Sequence, residues 1–221
     1  MSSSLDSCHQ LEAATLDKVD SLRLVVGLGN PGSEYANNRH NLGFRVLDAL
    51  ADKHGLPFKR HKGKVRVAQG EIDGQDVILA KPQTFMNLSG GAVSRVRRRF
   101  DVAPEDILVV YDDLDLPLGR LRLRPEGGSG GHRGMRSVID RLGTHSFARL
   151  RIGIDRPSGR MDPADYVLQA FSVDEEAVVA EAVRQAVAAI ECCLREGIVA
   201  AMDRFNRPTP SAEEQCQEAQ A

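Results

Sequence analysis

Long apolar runs are missing from this 221-residue chain; no stretch approaches the ~18 residues that a membrane-spanning helix needs. Residues 1–21 have neither an apolar core nor a basic start, so they do not read as a secretory signal. They carry several acidic residues, which argues against a transit peptide and for a polar, disordered extension of a cytoplasmic protein. Cysteine is sparse: Cys8, Cys192, Cys193 and Cys216 show no metal-ligand spacing and read as reduced thiols. There is no H-E-x-x-H, no serine or cysteine in a nucleophile elbow and no internal repeat. These absences disfavour a zinc hydrolase, a covalent serine or cysteine hydrolase, a solenoid and a membrane protein.

With 42% hydrophobic residues, the chain can bury one sizeable core, and one domain is expected over residues 22–205. The segment 206–221 is polar and proline-broken and reads as a disordered tail. A net charge of −2 conceals a division along the chain. Residues 23–160 hold 24 Lys+Arg against 15 Asp+Glu, whereas residues 161–221 hold 4 against 12. A positive body suggests a polyanionic partner held partly through phosphates.

The pattern of elements predicts an α/β fold, a single domain with a mixed twisted sheet flanked by helices. Leu22–Val26 reads as a strand, and Leu42, Val46 and Leu50 mark the apolar face of a helix near 41–54. Two strands near 64–69 and 76–80 flank an Asp73-Gly74 hairpin turn. The segment 84–90 leads into a helix with Leu88, Ala92, Val93, Val96 and Phe100 on one face and Arg95, Arg97, Arg98 and Arg99 crowding the other. Asp106–Tyr111 is the near-continuous apolar run of a strand covered on both faces. Strands near 119–124 and 150–154, a helix near 135–142 and a long amphipathic helix over 174–196 complete the pattern.

Gly27, Gly29 and Gly32 match G-x-G-x-x-G, which raises a dinucleotide loop. Asn30-Pro31-Gly32-Ser33 is turn chemistry, however, and the residues after it lack a helical stripe. Asp48, the acid at ribose-binding distance, falls inside a helix rather than at a strand end. The loop reads better as a catalytic one.

Candidate functional residues lie at the ends of separate elements: Asn30, His40, Asn87, Asp112 and His132. A histidine titrates near neutrality, and a carboxylate on its other nitrogen fixes its tautomer and raises its basicity. His40 with Asp112 would form that pair, although Asp113 or Asp115 could fill the acidic role. Asn30 and Asn87 could donate amide protons where negative charge develops. Asn87 could equally cap the following helix. The economical chemistry is hydrolysis by a His-activated water.

Four motifs together resemble the bacterial peptidyl-tRNA hydrolase family. They are Gly-Leu-Gly-Asn-Pro-Gly (27–32) with Tyr35 and Arg39-His40-Asn41, Lys-Pro-Gln-Thr-Phe-Met-Asn-Leu-Ser-Gly (81–90), Asp-Asp-Leu-Asp-Leu-Pro (112–117) and Gly-Gly-Ser-Gly-Gly-His (127–132). Arg149–Ile154 matches the strand that follows. The resemblance implies a monomeric esterase without metal or cofactor, cleaving the ester between a peptide and the 3′ end of tRNA. By position, His40 would activate water and Asp112 would orient it, with Asn30 assisting at the transition state. Tyr35, Met86, Asn87, His132 and Arg133 would meet the peptidyl end, and Arg124 and Arg151 the tRNA 5′ phosphate. One residue departs from the pattern: Arg133 stands where the family has asparagine. That departure keeps a second reading open, an RNA-binding relative that has lost catalysis.

Overall fold

The apolar run around Ile107–Val110 lies near the middle of the sheet in the computed structural model, which describes residues 23–62 and 64–207. In chain order the strands are β1 (Leu24–Gly27), β2 (Lys59–His61), β3 (Val65–Ile72), β4 (Gln75–Pro82), β5 (Ile107–Asp113), β6 (Leu121–Arg124) and β7 (Ala148–Gly153). They form one mixed sheet in the order β2-β3-β4-β1-β5-β7-β6. The central four, β4, β1, β5 and β7, run parallel; β2, β3 and β6 are antiparallel to their neighbours.

Alternation along the strands divides the core into two layers. Val25, Leu79, Leu108 and Val110 face α1 (Leu42–Lys53) and the long α5 (Val173–Phe205). Leu24, Val26, Val109 and Tyr111 face α2 (Ser89–Arg99) and α3 (Arg133–Leu142). Both sides of the central strands are thereby covered, which is why they read as continuous apolar runs. A single turn, α4 (Pro163–Tyr166), lies between β7 and α5.

The glycines of the first motif serve packing. A Cβ on Gly27 would lie 2.3 Å from the Gly43 carbonyl oxygen, and one on Gly29 2.7 Å from the Phe44 ring. Gly32, at φ 119°, turns the chain into a single 3-10 turn over Ser33–Tyr35. No pyrophosphate-binding helix opens there, and Asp48 pairs with Lys81.

Several expectations need correction in detail. Leu88, expected on the apolar face of α2, is 58% exposed. Asn87 sits in a 3-10 turn rather than at the α2 N-cap, a position that Leu88 fills without any side-chain bond. The expected helix end at Glu196 coincides with a break: Gly197 has φ 85°, and a second helical piece continues to Phe205. The strand β2 and the turn α4 have no counterpart in the sequence reading. Residues 1–22 and 208–221, including the expected extension and most of the expected tail, lie outside the described residues.

Two adjacent glycines of α2 give a stability test. A Cβ on Gly90 would fall 1.9 Å from the Ser137 carbonyl oxygen of α3, whereas one on Gly91 meets only the tip of Arg95 at 3.7 Å. Gly90→Ala is expected to destabilise by roughly 1–3 kcal/mol through overpacking. Gly91→Ala should be neutral or stabilising by up to about 1 kcal/mol. Chemical denaturation of both variants checks the pair, and equal effects would contradict the close α2–α3 approach.

Candidate active site

β1 and β5 end side by side, and the chain leaves β1 toward β4 on one side and returns to β5 on the other. In open α/β sheets such a reversal leaves a crevice beyond the carboxyl ends of the strands. Asp112, 2% exposed, lies at the end of β5 within this crevice. Its carboxylate accepts from His40 Nδ1, at 2.9 Å to Oδ2 and 3.0 Å to Oδ1, and lies 3.3 Å from His132 Nε2. Of the three candidate aspartates, it alone meets a histidine: Asp113 pairs with Arg151 and Asp115 with Arg156.

The hydrogen bonds fix both tautomers. His132 caps α3, its Nδ1 accepting the Met135 N–H at 3.1 Å, so its proton resides on Nε2 and points at Asp112. His40 donates from Nδ1, which leaves the Nε2 lone pair as its basic site. Burial pushes the Asp112 carboxyl up, but the charges and hydrogen bonds of His40 and His132 overcome it and hold the group well below the usual carboxylate range. Other buried titratable groups are unsuited to act as bases here. Tyr111, whose ring centroid lies 4.9 Å from that of His132, is pushed by burial up to about 12. Cys193, buried in the other layer, is likewise pushed up to about 12.

His40 is held from outside its own helix. It occupies a 3-10 turn, Arg39–Asn41, whose backbone docks on the segment before α5: Arg39 N donates to Gln169 O and His40 N to Val167 O, both at 2.9 Å. The Arg39 guanidinium lies 4.3 Å from the Tyr166 ring centroid and 4.6 Å from that of Phe171. Its Nη2 donates to Glu175 at 2.7 Å, and Glu175 also closes the capping box at the start of α5. Arg39 Nε and Nη1 have no oxygen partner among the described residues and sit against aromatic rings instead.

Asn30 is clamped on three sides. Its backbone N–H donates to Asn41 Oδ1 at 2.8 Å, its carbonyl accepts from Asn41 Nδ2 at 2.9 Å, and its Oδ1 accepts from Met86 N at 2.9 Å. The Nδ2 amide protons are left for the cavity that Asn30 lines. This cavity holds about 540 Å³, and His40, Met86, Asn87, Asp112, His132 and Arg133 also line it. Met86 is buried, and its sulfur would lie 2.5 Å from a Cβ on Gly134, which accounts for glycine after Arg133.

The structure does not gather every expected residue here. Tyr35 is half-buried and is not among the residues lining the cavity. Arg124 and Arg151 lie on the face of β6 and β7 opposite Leu121, Leu123, Leu150 and Ile152, and of the two only Arg151 reaches a cavity residue, Asp113. Sequence reasoning missed Arg39, Asn41 and Arg149. Arg149, 2% exposed, grips the glycine loop through the carbonyls of Gly127 and Gly128 and also binds those of His145 and Phe147. Their partners are mostly backbone atoms or rings distant in sequence, and only the Arg-His-Asn triplet hinted at two of them.

Among the described residues, His40, Asp112 and His132 are also the one cluster whose ligand-type atoms lie close enough, within 4.8 Å, to share a cation. As drawn by the hydrogen bonds, the arrangement is a base nitrogen backed by a buried carboxylate, beside free amide protons. That is the equipment of a hydrolase that activates water by general base catalysis.

Comparisons with known proteins agree. Residues 24–215 match the peptidyl-tRNA hydrolase family, and the chain belongs to it. The peptidyl-tRNA hydrolase of Chloroflexus aggregans is 53% identical over 83% of this chain and 98% of its own length. That of Roseiflexus castenholzii is 54% identical over 86% and 89%. The crystal structure of peptidyl-tRNA hydrolase from Acinetobacter baumannii superimposes with a TM-score of 0.83 at 37% identity, covering 88% of this chain and 100% of that one.

The Asp112 environment sets an acid dependence. Its folded-state pKa is depressed, so it stabilises the fold fully above the unfolded value of about 3.9. That contribution falls as pH drops below this value and is lost once pH passes through the folded one. The stability gap between wild type and Asp112→Asn should therefore be full above about pH 4 and narrow as pH falls below it. Denaturation measured from pH 7 to 2.5 checks it; a gap that stays constant would refute the depressed pKa.

Proposed function

We propose that this chain hydrolyses peptidyl-tRNA by a metal-independent, general-base mechanism in which His40 Nε2 takes the proton from water. The observation that carries the reading is the His40–Asp112 pair, buried at the carboxyl end of β5 beside the free amide of Asn30. The water oxygen attacks the ester carbonyl carbon as Nε2 accepts its proton. Asp112 stabilises the imidazolium that forms, and Asn30 Nδ2 donates to the oxygen on which negative charge develops. The carbon–oxygen bond to the ribose then breaks, and the imidazolium returns the proton to the departing 3′ oxygen.

An aminoacyl ester is already activated, so a positioned base and water suffice without a covalent intermediate. Met86 and Asn87 would receive the peptidyl end, and His132 would hold Asp112 while bordering the same cavity. Arg124 is exposed and Arg151 half-buried on a face with Arg122 close by, which suits the phosphate of the tRNA 5′ end. We assign the chain to the cytoplasm, acting as a monomer; no described helix is long and apolar enough to cross a membrane.

Release of tRNA from an N-blocked aminoacyl-tRNA tests the chemistry. His40→Ala should lose roughly 10²–10⁴ in kcat while remaining folded, with a lowered melting temperature because buried Asp112 loses a partner, and wild-type turnover should persist in excess chelator. Turnover retained by the folded variant would sink the assignment of the base, and loss on chelation would put a metal at the His40–Asp112–His132 cluster.

A separate check addresses the RNA contacts. Arg124→Gln should raise KM and flatten its dependence on salt by about 0.7–0.9 in log–log slope, the weight of one phosphate contact. An unchanged slope would remove Arg124 from the interface.

A further inference from the structure

The catalytic cavity continues past Asn87. A second groove of about 450 Å³ shares Asn87 and Arg133 with it and runs between α2 and α3 over Gly91 and Ser137. Three exposed guanidiniums, those of Arg133, Arg136 and Arg141, line it against the single carboxylate of Asp140. None of the three forms a salt bridge among the described residues. The rim is apolar: Leu88 is 58% exposed in the groove, and Phe85 is 61% exposed at the cavity mouth. Where α2 and α3 meet at Gly90 and Ser137, their backbones are in close contact, so the groove floor is rigid.

We infer that this groove is an extended subsite for the nascent peptide, one that favours acidic side chains and disfavours basic ones upstream of the ester. The inference rests on the functional reading above, in which RNA phosphate is held on the β6–β7 face and the peptide leaves past Asn87. On that reading the substrate's two halves leave the cavity by different routes. Asp113, which pairs with Arg151, marks the RNA side; Asn87 and Arg133 mark the other.

The dimensions and lining fit a peptide. Arg133 to Arg141 spans about 12 Å of helix, the length of about three to four extended residues. Exposed leucine beside guanidiniums suits a chain of mixed side chains better than a phosphate backbone. Arg133, which lines both the cavity and the groove, places a positive charge at the entrance. The groove therefore discriminates by charge at the point where the peptide passes from ester to solvent.

N-acetylated tripeptidyl-tRNAs that share one C-terminal residue and carry Glu, Gln or Lys at both upstream positions test this at low salt. Wild type should hydrolyse the Glu substrate roughly five- to tenfold faster than the Lys substrate in kcat/KM, the scale of one or two half-exposed ion pairs. The Gln substrate should fall between. The exposed substitution Arg136→Glu should abolish or invert the order. Equal rates for the three substrates in wild type would overturn the subsite. So would an equal slowing by Arg136→Glu of all three and of N-acetyl-aminoacyl-tRNA, which would place the RNA 3′ strand in the groove. Failure of wild type to cleave N-acetyl-aminoacyl-tRNA would overturn the hydrolytic reading beneath it.

Discussion

A buried carboxylate bound by two imidazoles sets the terms for the rest of this molecule. Burial alone would drive Asp112 toward its neutral form. An uncompensated carboxylate at the end of a fully covered strand would be costly, and it persists because His40 and His132 converge on it from opposite layers. His40 arrives with the turn before α1 on one face, His132 with the N-cap of α3 on the other. The sheet thus contributes the charge and the two helical layers contribute its partners. The site exists only when all three layers are in register.

This explains why so much structure outside the cavity serves orientation. Arg39 and Glu175 tie the histidine turn to the start of α5, 136 residues away in sequence. Asn41 holds the backbone of Asn30 so that its side chain can face two ways, toward Met86 and toward the cavity. Arg149 gathers carbonyls of the glycine loop and thereby sets the approach to His132 and α3. A side chain that binds backbone or packs on rings leaves no spacing rule in the sequence. That is why the roles of these three were not legible, although Arg39 and Asn41 flank His40 in its motif, while His40 and Asp112 stood out as candidates by their chemistry at element ends.

The same distinction governs the fold. β1, β5 and the paired strands β3 and β4 were legible because apolar runs, or the Asp73-Gly74 turn, marked them. β2 is Lys-Arg-His at a sheet edge, held by pairing to β3 with no apolar pattern of its own. Leu88 looked like core because it kept helical spacing with Val96, yet it precedes α2 and faces solvent. Gly27 and Gly29 matched a phosphate loop in spelling, but their neighbours are Gly43 and Phe44. Short-range patterns specify which residues form elements; which glycine lies under which helix is a property of the assembled layers.

The opposed charges along the sequence also acquire a meaning in three dimensions. Acidic residues of α5 do not form a separate acidic body; Glu175, Glu176 and Glu191 pair with Arg39, Arg45 and Lys53 of the α1 layer. Those pairings consume positive charge on the α1–α5 side of the sheet. Among the described residues, Arg122 and Arg124 on β6, with Arg133, Arg136 and Arg141 along α3, have no such carboxylate partners. Free cations therefore remain along α3 beside the cavity and on the outer face of β6. On the proposed mechanism, a centre built from a base, a carboxylate and a positioned water would leave substrate recognition to this asymmetry. Because surface charges act over a Debye length of about 8–10 Å, the asymmetry can bias both halves of a long substrate without tightly fitted contacts.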